Sequence, residues 1–323
     1  MKIVLKYKIE NDGDLLFAKI DLNNFLKGKK EKEYKNFLSF ALMELGTNLL
    51  KHGGGGEIWL LEEEGEYLLA ALDKGPGIEN IEWAVKKGTT SYNNSLGLGL
   101  FQISQNSMFD LEIFTSTKKI KGTVVLLVPK TLKKNYCYLI RNYMDIKTGG
   151  DFIVKKGKFF LIGDASGHGV AAGKSAEFVK KYFLKNGFSC LLINEFFYKL
   201  HMEIKERMLR GGVLSVVEVT KKFLLICGVG NIGIVKKHFE KIEFFSQEEG
   251  IVGEVFSSAS TYKIIYDKNT VVILHTDGIE KNLLYNILQK TDNIYLIAVA
   301  SVFFSEVMDD RGILIFKGEK NET

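Results

Sequence analysis

Glycine supplies almost all of the unusual backbone geometry in this chain. Its 323 residues include 32 glycines but only two prolines, Pro76 and Pro129. Glycine adopts left-handed backbone conformations freely, whereas proline fixes φ and lacks an N–H group. Clusters of glycine therefore mark the places where tight turns, or close approaches of the backbone to a ligand, are expected.

The length is enough for about two domains at roughly 150 residues each. A content of 46% hydrophobic and 26% charged residues excludes disordered, collagenous and disulfide-scaffold proteins. Neither half of the chain repeats the other, and Pro129 with the polar run that follows it closes the first half. We therefore predict two unrelated α+β domains, residues 1–132 and 133–323.

Charge and cysteine content narrow the class of protein. Basic and acidic residues balance over residues 1–132, so the net charge of +5 belongs to the remainder, where no basic block predicts nucleic-acid binding. Three scattered cysteines, Cys137, Cys190 and Cys227, predict reduced core thiols in a cytoplasmic protein. The start lacks a signal-peptide pattern, and the apolar run 294–304 is too short to span a membrane. We expect neither nucleic acid nor membrane as a direct partner.

Hydrophobic periodicity predicts the secondary structure. In the first half it predicts a helix at 32–52, another opening on Gly97, and strands at 2–9, 14–20, 57–62, 66–72, 110–117 and 122–129. In the second half it predicts helices at 168–186, 193–210 and 279–305. Strands are expected there at 136–146, 149–155, 158–163, 212–219, 222–228, 271–276 and 313–316.

A first group of polar and glycine motifs predicts a nucleotide site. Glu44 and Asn48 are four residues apart and so share one helix face; alone, this spacing is more often a solvated face. Asp73 then opens an Asp-Lys-Gly-Pro-Gly run at a strand end, where a carboxylate can accept from an exocyclic amine. Gly97 and Gly99 open a helix whose N–H groups can face phosphates.

In this order the motifs resemble those of GHKL (Bergerat-fold) ATPases, and most closely the serine kinases of bacterial partner-switching systems. The resemblance implies a sandwich of helices on one mixed sheet, with ATP and Mg²⁺ as cofactors. It makes Glu44 the catalytic base, Asn48 the Mg²⁺ ligand and Asp73 the adenine reader. By position it assigns the close-packed loop to Gly75 and Gly77 and the phosphate cradle to Gly97 and Gly99. Ser95 departs from the glycine common at the start of the last motif.

A second group of motifs is made of carboxylates. Asp151, Asp164, Asp277 and the pair Asp309 and Asp310 lie at loop or strand-end signals. Each alone is a turn signature. Together, without clustered His or Cys, they suit hard cations such as Mg²⁺ or Mn²⁺, and two such ions would activate a water and bind a phosphate.

This series resembles the metal-dependent PPM (PP2C-like) phosphatases of the SpoIIE type. The resemblance implies an α/β/β/α sandwich and two Mn²⁺ or Mg²⁺ ions. It makes Asp164 the catalytic centre and the ligand that bridges both ions. The other ligands that it implies are Asp151, the carbonyl of Ala165, Asp277 and Asp309, with Asp310 the less certain of its pair. His168 can protonate a leaving oxygen or act as a structural turn residue, and the second reading is slightly favoured.

Together the resemblances imply a bifunctional regulator that phosphorylates and dephosphorylates one serine or threonine of a STAS-domain switch protein. Two alternatives stay open for the first half: an ATP-binding sensor without kinase activity, or an adaptor that sequesters a sigma factor or a second phosphatase. Dimerisation through the first sheet would be common among such kinases.

Overall fold

The computed structural model describes residues 1–86, 98–118, 120–146, 148–167, 169–186 and 193–318. The chain divides into two compact units, Met1–Lys134 and Asn135–Thr323. Within these described ranges, no helix is long and apolar enough to cross a membrane.

The first unit is built on one five-stranded sheet with the order β1-β2-β3-β5-β4. Its strands are β1 (Lys2–Ile9), β2 (Gly56–Glu63), β3 (Glu66–Asp73), β4 (Phe109–Ser116) and β5 (Gly122–Pro129). Its helices are α1 (Asp12–Leu26), α2 (Lys32–Asn48), which continues into a π-helical turn (Leu49–Gly53), α3 (Ile81–Val85) and α4 (Gly99–Ser104). All four strand pairings are antiparallel, so the prediction of a mixed sheet is wrong. Tight hairpin connections such as Glu64-Gly65, both at positive φ, can join only antiparallel neighbours.

The segment 14–20 is helical, and the prediction of a strand there is wrong. Asn11 caps α1: its side chain accepts from the Asp14 N–H at 3.1 Å, and the Asp14 carboxylate accepts from the Asn11 N–H at 3.2 Å. This reciprocal cap starts a helix. The buried residues then follow helical spacing at Leu15, Ala18, Leu22 and Leu26. The short apolar alternation predicts a strand, but packing of the buried leucines against the sheet favours the helix.

Helices α1 and α2 pack against each other and share one hydrophobic core with the sheet. Helix α2 contributes Leu38, Ala41, Leu42 and Leu45, and the sheet contributes Ile58, Leu60, Leu69, Ala71 and Leu127. A methyl group on Gly46 would overlap the Leu15 side chain, so glycine allows the two helices to approach. This packing fixes the rotation of α2 and with it the direction of its polar face.

The second unit contains two five-stranded sheets. One has the order β13-β10-β9-β8-β7 and the other β12-β11-β14-β15-β6. The strands are β6 (Tyr136–Arg141), β7 (Asp151–Lys156), β8 (Phe159–Ala165), β9 (Gly212–Val219), β10 (Phe223–Val229), β11 (Gly233–His238), β12 (Lys241–Phe245), β13 (Ser260–Ile265), β14 (Thr270–His275) and β15 (Arg311–Lys317). The helices are α5 (Gly169–Lys185), α6 (Ile193–Glu206), α7 (Lys281–Leu288) and α8 (Ile294–Phe304).

The two sheets face each other across an apolar core, and helices cover both outer faces. The core between the sheets includes Ile162, Val217, Leu274 and Leu314. Helices α5 and α6 share a second core with the first sheet, and α8 packs against β6 and β15 of the other. The layers therefore follow the predicted order of helix, sheet, sheet and helix.

Three local expectations in the second unit differ from the structure. The predicted helix 279–305 is two helices, because Asn293 caps α8 by accepting from the N–H groups of Tyr295 and Leu296. The predicted strand 136–146 ends at Arg141 and gives way to a 3₁₀ turn, Tyr143–Asp145. The strands β11, β12 and β13 carry mixed polar and apolar residues and were not predicted.

Candidate functional site

The first unit has a cavity of about 580 Å³ between α2 and the β3 end of the sheet. Five of the residues predicted to bind nucleotide line it: Glu44, Asn48, Asp73, Gly77 and Gly99. Leu45, Leu49, Ala71 and Val125 form apolar walls around them. A cavity of this size, lined by both apolar and polar side chains, is typical of small-molecule sites.

Asp73 ends β3 and lies in a tightly packed corner of this cavity. Its carboxylate accepts from the Gly75 N–H at 2.8 Å. A methyl group on Gly53 would lie 2.8 Å from the Asp73 side chain. Burial raises the pKa of Asp73, although the N–H groups of Gly75 and Thr123 oppose this effect. The result is a fixed acceptor in apolar surroundings, which suits an exocyclic amine of a base.

The loop after Asp73 is attached to the neighbouring hairpin. Gly77 has φ of +80°, and a methyl group there would overlap the Ser116 carbonyl oxygen. The Ile78 N–H donates to Thr115 Oγ1 at 2.7 Å. Only glycine fits this backbone, because a side chain at this position would meet the Ser116 carbonyl.

Glu44 and Asn48 both line the cavity from α2, and Glu44 reaches the first turn of α4. A methyl group on Gly99 would overlap Glu44 Oε2, so the carboxylate lies directly against the backbone where α4 begins. Gly97, the other half of the predicted phosphate cradle, lies outside the described residues.

Sequence reasoning missed several lining residues of this cavity. Trp83 of α3 is 48% exposed and lies at the cavity with Lys51 and Thr123. No motif marks Trp83, which falls in a polar stretch without periodicity. Thr123 faces Asp73 only because β5 pairs with β3 in that register, which local sequence does not reveal.

In the second unit, strand ends bring the predicted aspartates together. Asp151 begins β7 and pairs in register with Asp164 near the end of β8. Asp277 follows β14, and Asp309 and Asp310 precede β15. A methyl group on Gly312 would lie 3.2 Å from Asp151 Oδ2, which places the start of β15 beside β7. Four separate segments therefore supply one carboxylate cluster.

Mutual repulsion and burial change the titration of this cluster. Burial, and after it the charges of Asp277, Asp309 and Asp310, together raise the pKa of Asp164 to about 7. Burial and the Asp164 charge also raise the pKa of Asp151, although Thr276 Oγ1 donates to Asp151 Oδ2 at 2.6 Å. Neighbouring carboxylates repel each other when they are ionised, and a bound cation would offset this repulsion.

Asp309 and Asp310 have different environments. Asp310 is 2% exposed, and its two oxygens accept from the N–H groups of Tyr143 at 2.7 Å and Gly150 at 2.6 Å. Both oxygens are therefore used to hold the backbone before β7. Asp309 instead accepts from the Asp310 N–H at 2.8 Å through one oxygen. The structure thus gives Asp310 a structural position.

The donor atoms of the cluster are of the chemical type that a hard divalent cation prefers. The predicted donors are oxygens throughout, and a methyl group on Gly150 would lie 2.5 Å from the Ala165 carbonyl oxygen and 3.0 Å from Asp164 Oδ1. Asp277 accepts from Asn231 Nδ2 at 3.1 Å, a partner that sequence reasoning missed. In the described part of the chain, no group of three or more Asp, Glu, His or Cys side chains is arranged closely enough to hold a metal ion. His168 lies outside that part.

Neither protein-family profiles nor curated proteins match this sequence. Among solved structures, RsbX in complex with magnesium is 17% identical with a TM-score of 0.48, covering 65% of this chain and 99% of its own. The PPM Ser-Thr phosphatase MsPP from Mycobacterium smegmatis is 10% identical with a TM-score of 0.47, covering 57% of this chain and 97% of its own. A structure from work on the bacterial stressosome is 20% identical with a TM-score of 0.45, covering 56% and 97%. At such identities, the neighbours' activities do not carry over to this chain.

Proposed function

We propose that the second unit is a metal-dependent phosphatase for phosphoserine or phosphothreonine in a protein. The observation that carries this proposal is that Asp151, Asp277 and Asp309, from three other segments, all lie near Asp164. Asp151, Asp164, Asp277, Asp309 and the Ala165 carbonyl would hold two Mg²⁺ or Mn²⁺ ions. When bound, such ions supply an activated water and charge neutralisation for a phosphate.

The protein groups around the cluster hold its geometry. Thr276 donates a hydrogen bond to one oxygen of Asp151, and Asn231 donates one to an oxygen of Asp277. Asp310 accepts a hydrogen bond from the backbone N–H of Gly150. These hydrogen bonds orient the ligands in advance, which reduces the reorganisation needed when an ion binds. Asp277 is the exposed member of the cluster, so a protein phosphoserine would approach from its side.

We propose that the first unit binds ATP with Mg²⁺ and transfers its γ-phosphate to the same partner. Asp73 supports adenine binding because its carboxylate is fixed in an apolar corner. Asn48 would hold Mg²⁺, and Glu44 would take the proton of the incoming hydroxyl. A STAS-domain switch protein is the partner that the resemblance of both units implies. Opposed activities on one chain would waste ATP unless one is gated.

The phosphatase proposal is tested on a phosphorylated STAS-domain protein with Mn²⁺. Asp277→Asn should lower phosphate release by about a hundredfold, because the amide lacks the negative charge with which the carboxylate would hold an ion. Glu240→Gln is the matched control, since Glu240 is exposed and lies outside the cluster. Equal release by the parent and Asp277→Asn would refute the assignment.

Nucleotide binding by the first unit is tested through tryptophan fluorescence. Trp59 is fully buried, whereas Trp83 lines the cavity, so ADP should change the emission of Trp83. Asp73→Asn should abolish the change, and Asp110→Asn on β4 should preserve it. ADP formation from ATP that is lost in Glu44→Ala supports a kinase, and tight binding without turnover supports a sensor.

A further inference from the structure

Arg210 is attached to the turn that follows Asp164 and Ala165. Its backbone N–H donates to Ser175 Oγ of α5 at 2.9 Å, and its Nη1 donates to the Ser166 carbonyl at 3.0 Å. The Ser166 N–H donates to the Gly211 carbonyl at 2.8 Å. Backbone and side chain therefore hold Arg210 beside the turn that leaves the carboxylate cluster.

The turn between Arg210 and the aspartates contains Gly167 and lies against Gly150, and the neighbours of both glycines leave no room for a side chain. Gly167 has φ of +80°, and a methyl group there would overlap Arg210 Nη1. On the other side, a methyl group on Gly150 would lie 3.0 Å from both the Gly167 carbonyl oxygen and Asp164 Oδ1. Gly167 therefore lies against the Arg210 guanidinium, and its carbonyl oxygen lies against the Gly150 backbone beside Asp164.

Arg210 differs from the other three arginines of the chain. Arg141 pairs with Asp145 and Arg207 with Glu203. Arg311 donates to the carbonyls of Val302 and Val307.

Arg210 has no carboxylate partner in the described ranges and lies at the surface. A guanidinium has five N–H donors, and its contact with Ser166 uses one. The Ser166 contact therefore leaves four of its N–H donors unused.

We propose that Arg210 binds the phosphoryl oxygens of the phosphomonoester substrate. This inference rests on the phosphatase function proposed above and adds a substrate-binding residue to that site. A planar guanidinium matches two oxygens of a phosphate dianion. An arginine held apart from the carboxylates keeps this capacity, and it offsets the repulsion that the aspartates would exert on an approaching dianion.

The test compares Arg210→Gln and Arg210→Lys with Arg207→Gln, a control that removes a guanidinium paired with Glu203. Calorimetry measures Kd for inorganic phosphate on the Mn²⁺-loaded protein, and a separate titration measures Kd for Mn²⁺. Arg210→Gln should raise the phosphate Kd by about tenfold or more, the effect of a lost charged hydrogen bond, and leave the Mn²⁺ Kd unchanged. Arg210→Lys should be intermediate, and Arg207→Gln should match the parent.

With p-nitrophenyl phosphate as substrate, Arg210→Gln should raise KM more than it lowers kcat. An unchanged phosphate Kd would overturn the inference. So would a parallel loss of Mn²⁺ affinity, because Arg210 would then only shape the turn. A parent protein that binds phosphate through Arg210 but hydrolyses no phosphomonoester would refute the proposed function and leave the binding role of Arg210 intact.

Discussion

At the residue scale, the main free-energy cost in the site of the second unit comes from the burial and mutual repulsion of its acidic side chains. Asp164 shows this cost most clearly, since burial and three neighbouring aspartates raise its pKa to about 7. Asp310, by contrast, accepts hydrogen bonds from two backbone N–H groups. Identical side chains therefore have different roles, decided by their hydrogen-bond partners.

The raised pKa of Asp164 predicts how the stability of the metal-free protein depends on pH. Between pH 4 and 7 the folded state retains a proton that the unfolded chain has released, so the free energy of unfolding should fall as pH rises. The loss should be on the order of a few kcal/mol, at about 1.4 kcal/mol per pKa unit. Urea denaturation in EDTA measures it. Asp164→Asn should flatten the dependence, and an unchanged slope in that variant would contradict the assignment.

The two adjacent aspartates should respond differently to the same substitution. Asp310→Ala should lower the free energy of unfolding by about 1–3 kcal/mol, because it leaves buried N–H groups without an acceptor. Asp309→Ala should weaken Mn²⁺ binding with a smaller effect on stability. Chemical denaturation in EDTA and Mn²⁺ titration separate the two effects. The reverse pattern would make Asp310 the ligand.

At the element scale, the glycine run after α2 shapes the nucleotide cavity. Gly54 ends the π-helical turn in a left-handed conformation and donates its N–H to Leu49. A methyl group on Gly55 would lie 2.8 Å from the Ile9 carbonyl, and one on Gly56 would overlap the Leu72 carbonyl. Each glycine meets a different neighbour, so the run allows α2 to end against β1 and β3 beside Asp73.

Each unit contains a helix cap that can be removed by one substitution, which should affect only that unit. Asn11→Ala should lower the stability of the first unit by about 1 kcal/mol, because it removes the reciprocal cap of α1. Asn293→Ala should lower that of the second unit by a similar amount through α8. Thermal denaturation followed by circular dichroism measures both variants. A loss of stability confined to the wrong unit would contradict the assignment of the caps.

At the scale of the whole molecule, each unit has its own hydrophobic core. We expect ADP to raise the unfolding temperature of the first unit, which Asn11→Ala lowers. We expect Mn²⁺ to raise the unfolding temperature of the second unit, which Asn293→Ala lowers. A ligand at a hundred times its Kd stabilises the unit it binds by about 2.7 kcal/mol. Differential scanning calorimetry measures these shifts, with Asp73→Asn and Asp277→Asn as controls. An Mn²⁺ shift retained in Asp277→Asn would place the ion elsewhere.

The sequence predicted features that depend on local pattern. Glu44 and Asn48 share a helix face because they are four residues apart, and the glycine run ends that helix because few other residues adopt its geometry. The turn signals at Asp151, Asp164 and Asp277 likewise located the strand ends of the second unit. Most predicted strands and helices follow from such short-range periodicity.

Only the tertiary structure decided which distant segments meet. The segment 14–20 became a helix because its leucines pack against a sheet formed mainly by later strands. Thr123 faces Asp73 through strand register, Asp310 turns to the backbone of Gly150, and Arg210 contacts the turn after Asp164. Such contacts join residues far apart in the chain, and their geometry depends on the whole packed unit rather than on any local pattern.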